Sequence, residues 1–164
     1  MESAPVTSDL AVQRVRRVYE TDHPRLWRSL YAFTGSRSIA DDAAAEAFAQ
    51  VLRRGDDVHD VAAWVWRSAF AIARGELQRR GRSAGEVPDV ADGDLAAADG
   101  LAAVMAQLAA LSADDRELLV LCHVAGWKPR ELAPVLGVPV GALRVRLHRA
   151  TRRARELMTA EETR

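Results

Sequence analysis

Residues 117–158 read ELLVLCHVAGWKPRELAPVLGVPVGALRVRLHRATRRARELM. Three helical patterns are legible in this stretch. The first, Glu117 to Ala125, runs into Gly126. The second, Arg130 to Leu136, stops at Gly137. The third, Pro139 to Met158, carries six arginines and no acid between Arg144 and Arg155. Two closely spaced helices with a glycine turn, the second strongly basic, predict a helix-turn-helix. In the third pattern Val140, Leu143, Leu147, Ala150, Ala154 and Leu157 are spaced 3, 4, 3, 4 and 3 apart. That spacing is one stripe of an α-helix. At about 100° per residue, Arg149 and Arg152 fall opposite the stripe. Arg144, Arg146, Arg153 and Arg155 flank it. The guanidinium groups fan over the side where phosphates would meet them. A solvated basic face or a coiled-coil surface would look similar. The preceding helix and glycine turn favour DNA.

The opening turns of this helix are unusual for a base reader. Gly141, Ala142 and Val145 are predicted to point outward. Glycine and alanine admit close backbone approach but donate no side-chain hydrogen bond. Val145 suits a thymine methyl, and Arg144, Arg146 and Arg149 suit guanine edges or phosphates. The predicted readout leans on phosphates and DNA shape.

The remaining composition fits such a protein. The chain has 164 residues, enough for one domain or two small ones. Basic and acidic residues balance at 23 each, which alone argues against nonspecific nucleic-acid binding. Their distribution is uneven. Residues 81–100 hold Arg82 against Glu86, Asp89, Asp92, Asp94 and Asp99. Residues 101–164 hold ten basic against seven acidic residues, so an acidic segment precedes a basic module. The single cysteine, Cys122, excludes an internal disulfide and lies in an apolar helical run, where packing is its expected role. His23, His59, His123 and His148 show no metal-ligand spacing. There is no phosphate-cradling glycine loop and no nucleophile motif. No enzyme, cofactor or metal is expected. With no membrane-length apolar run and no signal-peptide core, a cytoplasmic protein is expected.

The pattern divides the chain into residues 9–80, an acidic linker over 81–100, and residues 101–160. The expected fold is all-α, two small helical domains joined by that flexible linker. Within 9–80, one helix is predicted from Asp9 to Thr21. A second begins with Pro24 in its first turn and ends before Gly35. Ser38 to Asp41 has capping-box spacing and is read as opening a third, ending near Arg54. Asp60 is read as capping a long helix to Arg80, and Ser112 to Asp115 as another capping box. On the long helix, Val61, Trp64, Val65, Ser68, Ala69 and Ile72 make an inner face. Trp66 and Phe70 form a second strip beside Arg67 and Arg74. Aromatics interleaved with arginine can stack unpaired bases; a broad helical core gives the same pattern.

Both halves together resemble one family, the extracytoplasmic-function (group IV) sigma factors of bacterial RNA polymerase, in the sigma-70 family. The residues that carry the resemblance begin with Tyr19, His23 to Leu26, Gly35, Asp41-Asp42, Glu46 to Phe48 and Ala63 to Val65. Later come Leu111-Ser112, Gly126, Glu131 to Ala133, Leu136 to Val138, Val140-Gly141, Arg144 and Arg146 to Ala150. Their order and spacing cover about residues 11–80 and 101–158. The resemblance implies a region 2-like bundle before the linker and a region 4-like helix-turn-helix after it. It implies polymerase binding by Asp42, Glu46 and Phe48. It implies contact with the −10 promoter element by Trp66, Arg67, Phe70 and Arg74. It implies contact with the −35 element by Gly141, Ala142, Arg144, Val145, Arg146, Arg149 and Arg153. The implied partners are RNA polymerase core, promoter DNA and an anti-sigma factor, without membrane insertion. The chain departs from the family pattern at Ala45, Phe70-Ala71, Gly75, Lys128, Pro134, Ala142 and Val145. Two other readings stay open: a degenerate sigma-like interaction protein, and a stand-alone helix-turn-helix regulator.

Overall fold

The structure is a computed structural model that describes residues 7–82 and 107–163. Among those residues it is helical, with no strand. Most of the acidic segment 81–100 lies outside the described residues.

Helix α1 spans Asp9–Thr34, α2 spans Arg37–Arg54 and α3 spans Val61–Arg82. The three pack on one another. Leu26, Leu30, Phe33, Ile39, Val51, Val65 and Ala69 are buried between them. The inner face of α2 is Ala40, Ala43, Ala44 and Ala47, all fully buried. Small side chains there let the larger ones of α1 and α3 fill the space, as close packing requires.

Two boundary expectations are corrected. The break expected between Thr21 and Pro24 is absent, and α1 runs through Pro24. An interior proline costs about 3 kcal/mol. Here Val15, Leu26 and Leu30 are buried on both sides of it, so packing of the two halves holds the helix continuous. Helix α2 opens at Ser36 rather than Ser38. The Ser36 hydroxyl accepts from the Ile39 amide at 3.2 Å. Ser38 lies in the first turn, and Arg80 of α3 donates to both serine hydroxyls, at 3.2 and 2.9 Å. Asp60 does cap α3, accepting from the Ala63 amide at 3.0 Å.

After the segment outside the description, Ser112 caps α4, Ala113–Leu119, by accepting from the Asp115 amide. A π-helical turn, Val120–Val124, continues it, with the Ala125 amide donating back to Val120. Helix α5 is Pro129–Leu136 and α6 is Val140–Glu162. Lys128 offers no side-chain acceptor at the start of α5; instead Glu131 accepts from its backbone amide at 3.4 Å. Pro134 sits inside α5 on its exposed side, and the helix persists. Gly137 closes α5 with φ 67°, a left-handed conformation that turns the chain into α6 at little steric cost. Leu132, Ala133 and Val135 of α5 meet Leu143 and Ala150 of α6 in the core.

The two groups of helices do not stand apart. Helix α1 packs on the π turn and α3 packs on α5. The buried residues of both groups form one continuous apolar cluster.

Candidate nucleic-acid interface

Three surfaces hold the predicted site residues. The first is α6. Leu143 and Ala150 are fully buried, while Val140 and Leu157 at the ends of the stripe are partly open. The stripe therefore docks at its centre and frays at both ends. Gly141, Ala142, Arg144, Val145, Arg146, Arg149 and Arg153 are all exposed. A Cβ added at Gly141 would meet nothing within 4 Å, so this glycine leaves open surface rather than filling a contact. Arg153 is bonded to Asp115 of α4 at 2.6 Å. Arg152 reaches Glu156 at 3.8 Å. No ion pair among the described residues engages Arg146 or Arg149.

The second surface is the middle of α3. Arg67 is exposed, but Trp66 and Phe70 are 1% and 2% exposed. The rings expected to meet DNA are thus covered here. Phe70 lies against Phe33 of α1 at 5.3 Å, inside the N-terminal core. Trp66 is covered from the other group of helices. Trp127 meets it edge to face at 5.5 Å, and the Arg25 guanidinium lies 5.0 Å from one ring and 5.5 Å from the other. The indole N–H of Trp66 donates to Asp22 at 2.8 Å. Arg74 is half-buried and bonded to Asp114 and Glu117 of α4. Burial works against its charge, but the two carboxylates outweigh that and raise its pKa above the ordinary arginine value. Burial pushes the Glu117 carboxyl above its usual range, against the pull of Arg74. Arg116, over the Phe33 ring at 5.4 Å, is lowered by burial and then by Arg74.

The third surface is the outer face of α2. Asp42 and Glu46 are both exposed and four residues apart. Hydrogen bonds from Gln50 and then Arg53 hold the Glu46 carboxyl below its ordinary value. Phe48 is not on this face. It is 6% exposed and lies edge-on to Tyr19 at 5.0 Å, with the His23 ring tilted against Tyr19 at 4.6 Å. Tyr19, half exposed, is the aromatic that reaches solvent.

Sequence reasoning assigned no role to Asp22, Arg25, Asp114, Glu117 or Trp127. Only Trp127 carried a local signal, a large ring directly after the helix-ending Gly126. The others take part only because distant segments meet.

Comparison with known proteins follows the same outline. Residues 101–153 match the family described as Sigma-70, region 4. Over 157 residues the chain is 29% identical to the ECF RNA polymerase sigma factor SigL of Mycobacterium tuberculosis, covering 86% of each chain. It is 27% identical over 149 residues to the ECF RNA polymerase sigma factor SigE of Mycolicibacterium smegmatis, covering 82% of this chain and 57% of that one. Among solved structures, CnrH in complex with the cytosolic domain of CnrY superposes with a TM-score of 0.72 at 24% identity, covering 92% of this chain and 96% of that one. The sigma factor RpoE in complex with the anti-sigma factor NepR, from Bartonella quintana, gives 0.70 at 21%, covering 90% and 98%. These likenesses in structure support the all-α fold across both groups of helices.

Proposed function

We propose that the chain is a sigma factor of the extracytoplasmic-function type in the sigma-70 family, to which its sequence is similar, and that it binds RNA polymerase core and directs it to a subset of promoters. It is a transcription initiation factor with no catalytic chemistry of its own, acting in the cytoplasm. No helix among the described residues is long and apolar enough to cross a membrane.

The observation that carries this reading is the exposed arginine face of α6 on a tight helix-turn-helix. The α1–α3 bundle supports it with a separate exposed acidic face on α2. In this reading residues 9–80 form the polymerase-binding and −10 unit, and 101–160 form the −35 unit. Arg144, Arg146 and Arg149 meet the −35 element, with Gly141, Ala142 and Val145 letting the backbone approach. Asp42 and Glu46 meet the polymerase, with Tyr19 supplying the exposed ring above Phe48. Arg67 and Arg74 hold the −10 strand beside Trp66, and Phe70 supports that surface from below. An anti-sigma factor is a further partner, as for the RpoE relative.

Transcription in vitro with purified core on a genomic promoter pool tests this. Promoter-specific transcripts that require the chain are expected. Core binding without transcripts would favour a degenerate sigma that titrates polymerase. DNA binding without core binding would favour a stand-alone regulator.

A further inference from the structure

Five arginines line one open cleft of about 590 Å³, Arg67 and Arg74 from α3 and Arg146, Arg149 and Arg153 from α6. Three acids of α4, Asp114, Asp115 and Glu117, line it too. The charges do not cancel. Arg74 is bonded to both Asp114 and Glu117, and Arg153 to Asp115 at 2.6 Å, so all three acids are engaged. Arg67, Arg146 and Arg149 are exposed, and no ion pair or hydrogen bond among the described residues engages them. Like charges gathered in one cleft repel one another, and a bound anion removes that repulsion. The rest of the wall includes Ala71, Leu118, Leu136 and Val138, and no aromatic ring lines it. A nucleobase therefore has no ring there to stack on. A guanidinium, by contrast, matches phosphate oxygens with paired donors. The volume falls within the range of about 300–1,000 Å³ usual for small-molecule sites.

We propose that this cleft binds a small linear polyphosphate of triphosphate length, free or carried by a nucleotide, with its phosphoryl groups on Arg67, Arg146 and Arg149. The site stands on the cleft itself and does not need the sigma reading. If that reading holds, the ligand has a consequence. Arg146 and Arg149 would then serve both polyphosphate and the −35 element, so the two would exclude one another.

Isothermal titration calorimetry on the full chain tests the site with orthophosphate, pyrophosphate, tripolyphosphate, ATP and GTP, in magnesium-free buffer at fixed ionic strength. Affinity is expected to rise with chain length up to tripolyphosphate. ATP and GTP should match tripolyphosphate, because no ring reads the base. Tighter binding of either nucleotide would seat the nucleoside on the apolar wall and identify a nucleotide as the source. Arg67→Ala, Arg146→Ala and Arg149→Ala should each weaken tripolyphosphate about tenfold, the low end for a charge-assisted hydrogen bond. Asp115→Asn frees Arg153 and should tighten it. Arg144 is equally exposed on α6 but lies outside the cleft, so Arg144→Ala should leave it unchanged. Circular dichroism establishes that each variant is folded. Tripolyphosphate held no more tightly than orthophosphate overturns the site. So does an Arg67→Ala variant that binds like wild type, or a loss at Arg144 equal to that at Arg149. Binding of a randomised duplex pool, measured in the same buffer, keeps the two readings apart. Duplex binding without tripolyphosphate binding removes the site and leaves the sigma reading standing. Tripolyphosphate binding without duplex binding, and without transcription with core, keeps the site and removes the sigma reading.

Discussion

Changing Arg149 to alanine tests whether α6 meets DNA. Arg149 is exposed, opposite the buried stripe, and no ion pair among the described residues holds it. Its loss should leave stability within about 0.5 kcal/mol of wild type, as at other surface positions free of special contacts. On DNA, the loss is one charge against one phosphate. Each neutralised phosphate contributes about 0.9 to the slope of log affinity against log salt. Raising salt fourfold, from about 50 to about 200 mM, therefore removes about three- to fourfold in affinity per contact. Arg149→Ala should lower the slope by about that one contact. Arg153→Ala should lower it less, because Asp115 already neutralises Arg153 at 2.6 Å. Fluorescence anisotropy of the full chain on a randomised duplex pool, repeated over a salt series, gives the slopes. Taking the difference from wild type cancels whatever salt does to the rest of the chain. A guanine-edge contact behaves differently, losing about 1–3 kcal/mol at one base position. At least one of Arg144, Arg146 and Arg149 is expected to act so, since Gly141, Ala142 and Val145 donate no side-chain hydrogen bond. Three unchanged slopes and no sequence preference would refute the −35 assignment of α6.

Reversing charge at both Asp42 and Glu46 should weaken binding to polymerase core while the far-ultraviolet circular dichroism stays unchanged; unaltered core affinity would count against the α2 assignment. Glu46 is held below its ordinary pKa of 4.5, so its bonds to Gln50 and Arg53 stabilise the fold above that pH. They are lost as pH falls through the lowered value, a loss that Glu46→Gln should remove from acid-unfolding curves. Leu143→Ala empties a fully buried site between α5 and α6 and should cost about 2–5 kcal/mol, read from denaturant unfolding. Burial raises the Cys122 thiol above its ordinary 9.0. Its folded-state alkylation should therefore need a higher pH than in denaturant, and its contribution to stability is lost as pH rises through the raised value.

Much of this was legible in the sequence because helices advertise their buried face. The stripe from Val140 to Leu157 named the docking side of α6, and Leu143 and Ala150 are where it is tightest. Gly137 marked the turn for a conformational reason, its positive φ. Pro24 misled because local propensity was read without the packing that overrides it. Ser36 and Ser38 are both plausible caps by composition, and Arg80, forty-odd positions away, bonds to both. Trp66 and Phe70 show a deeper limit. Periodicity says that a ring shares a face, but not which distant element covers that face. Phe70 is covered by α1 and Trp66 by Trp127, and only the second cover belongs to another part of the chain. Of the two acids that fix Arg74, Asp114 was visible in a helix start, Ser112 to Asp115, and Glu117 in the helix it opens, with no hint of what they would bind.

The π turn at Val120–Val124 makes this part of the chain tolerant of a change in length. A π turn bonds five residues back where an α turn bonds four, so one wide turn takes up one extra residue. Deleting one residue of the five would restore ordinary winding, while the segment beyond kept roughly its direction relative to α4. A lineage carrying this segment can gain or lose a single codon here without re-aiming Trp127 or the arginines of α6.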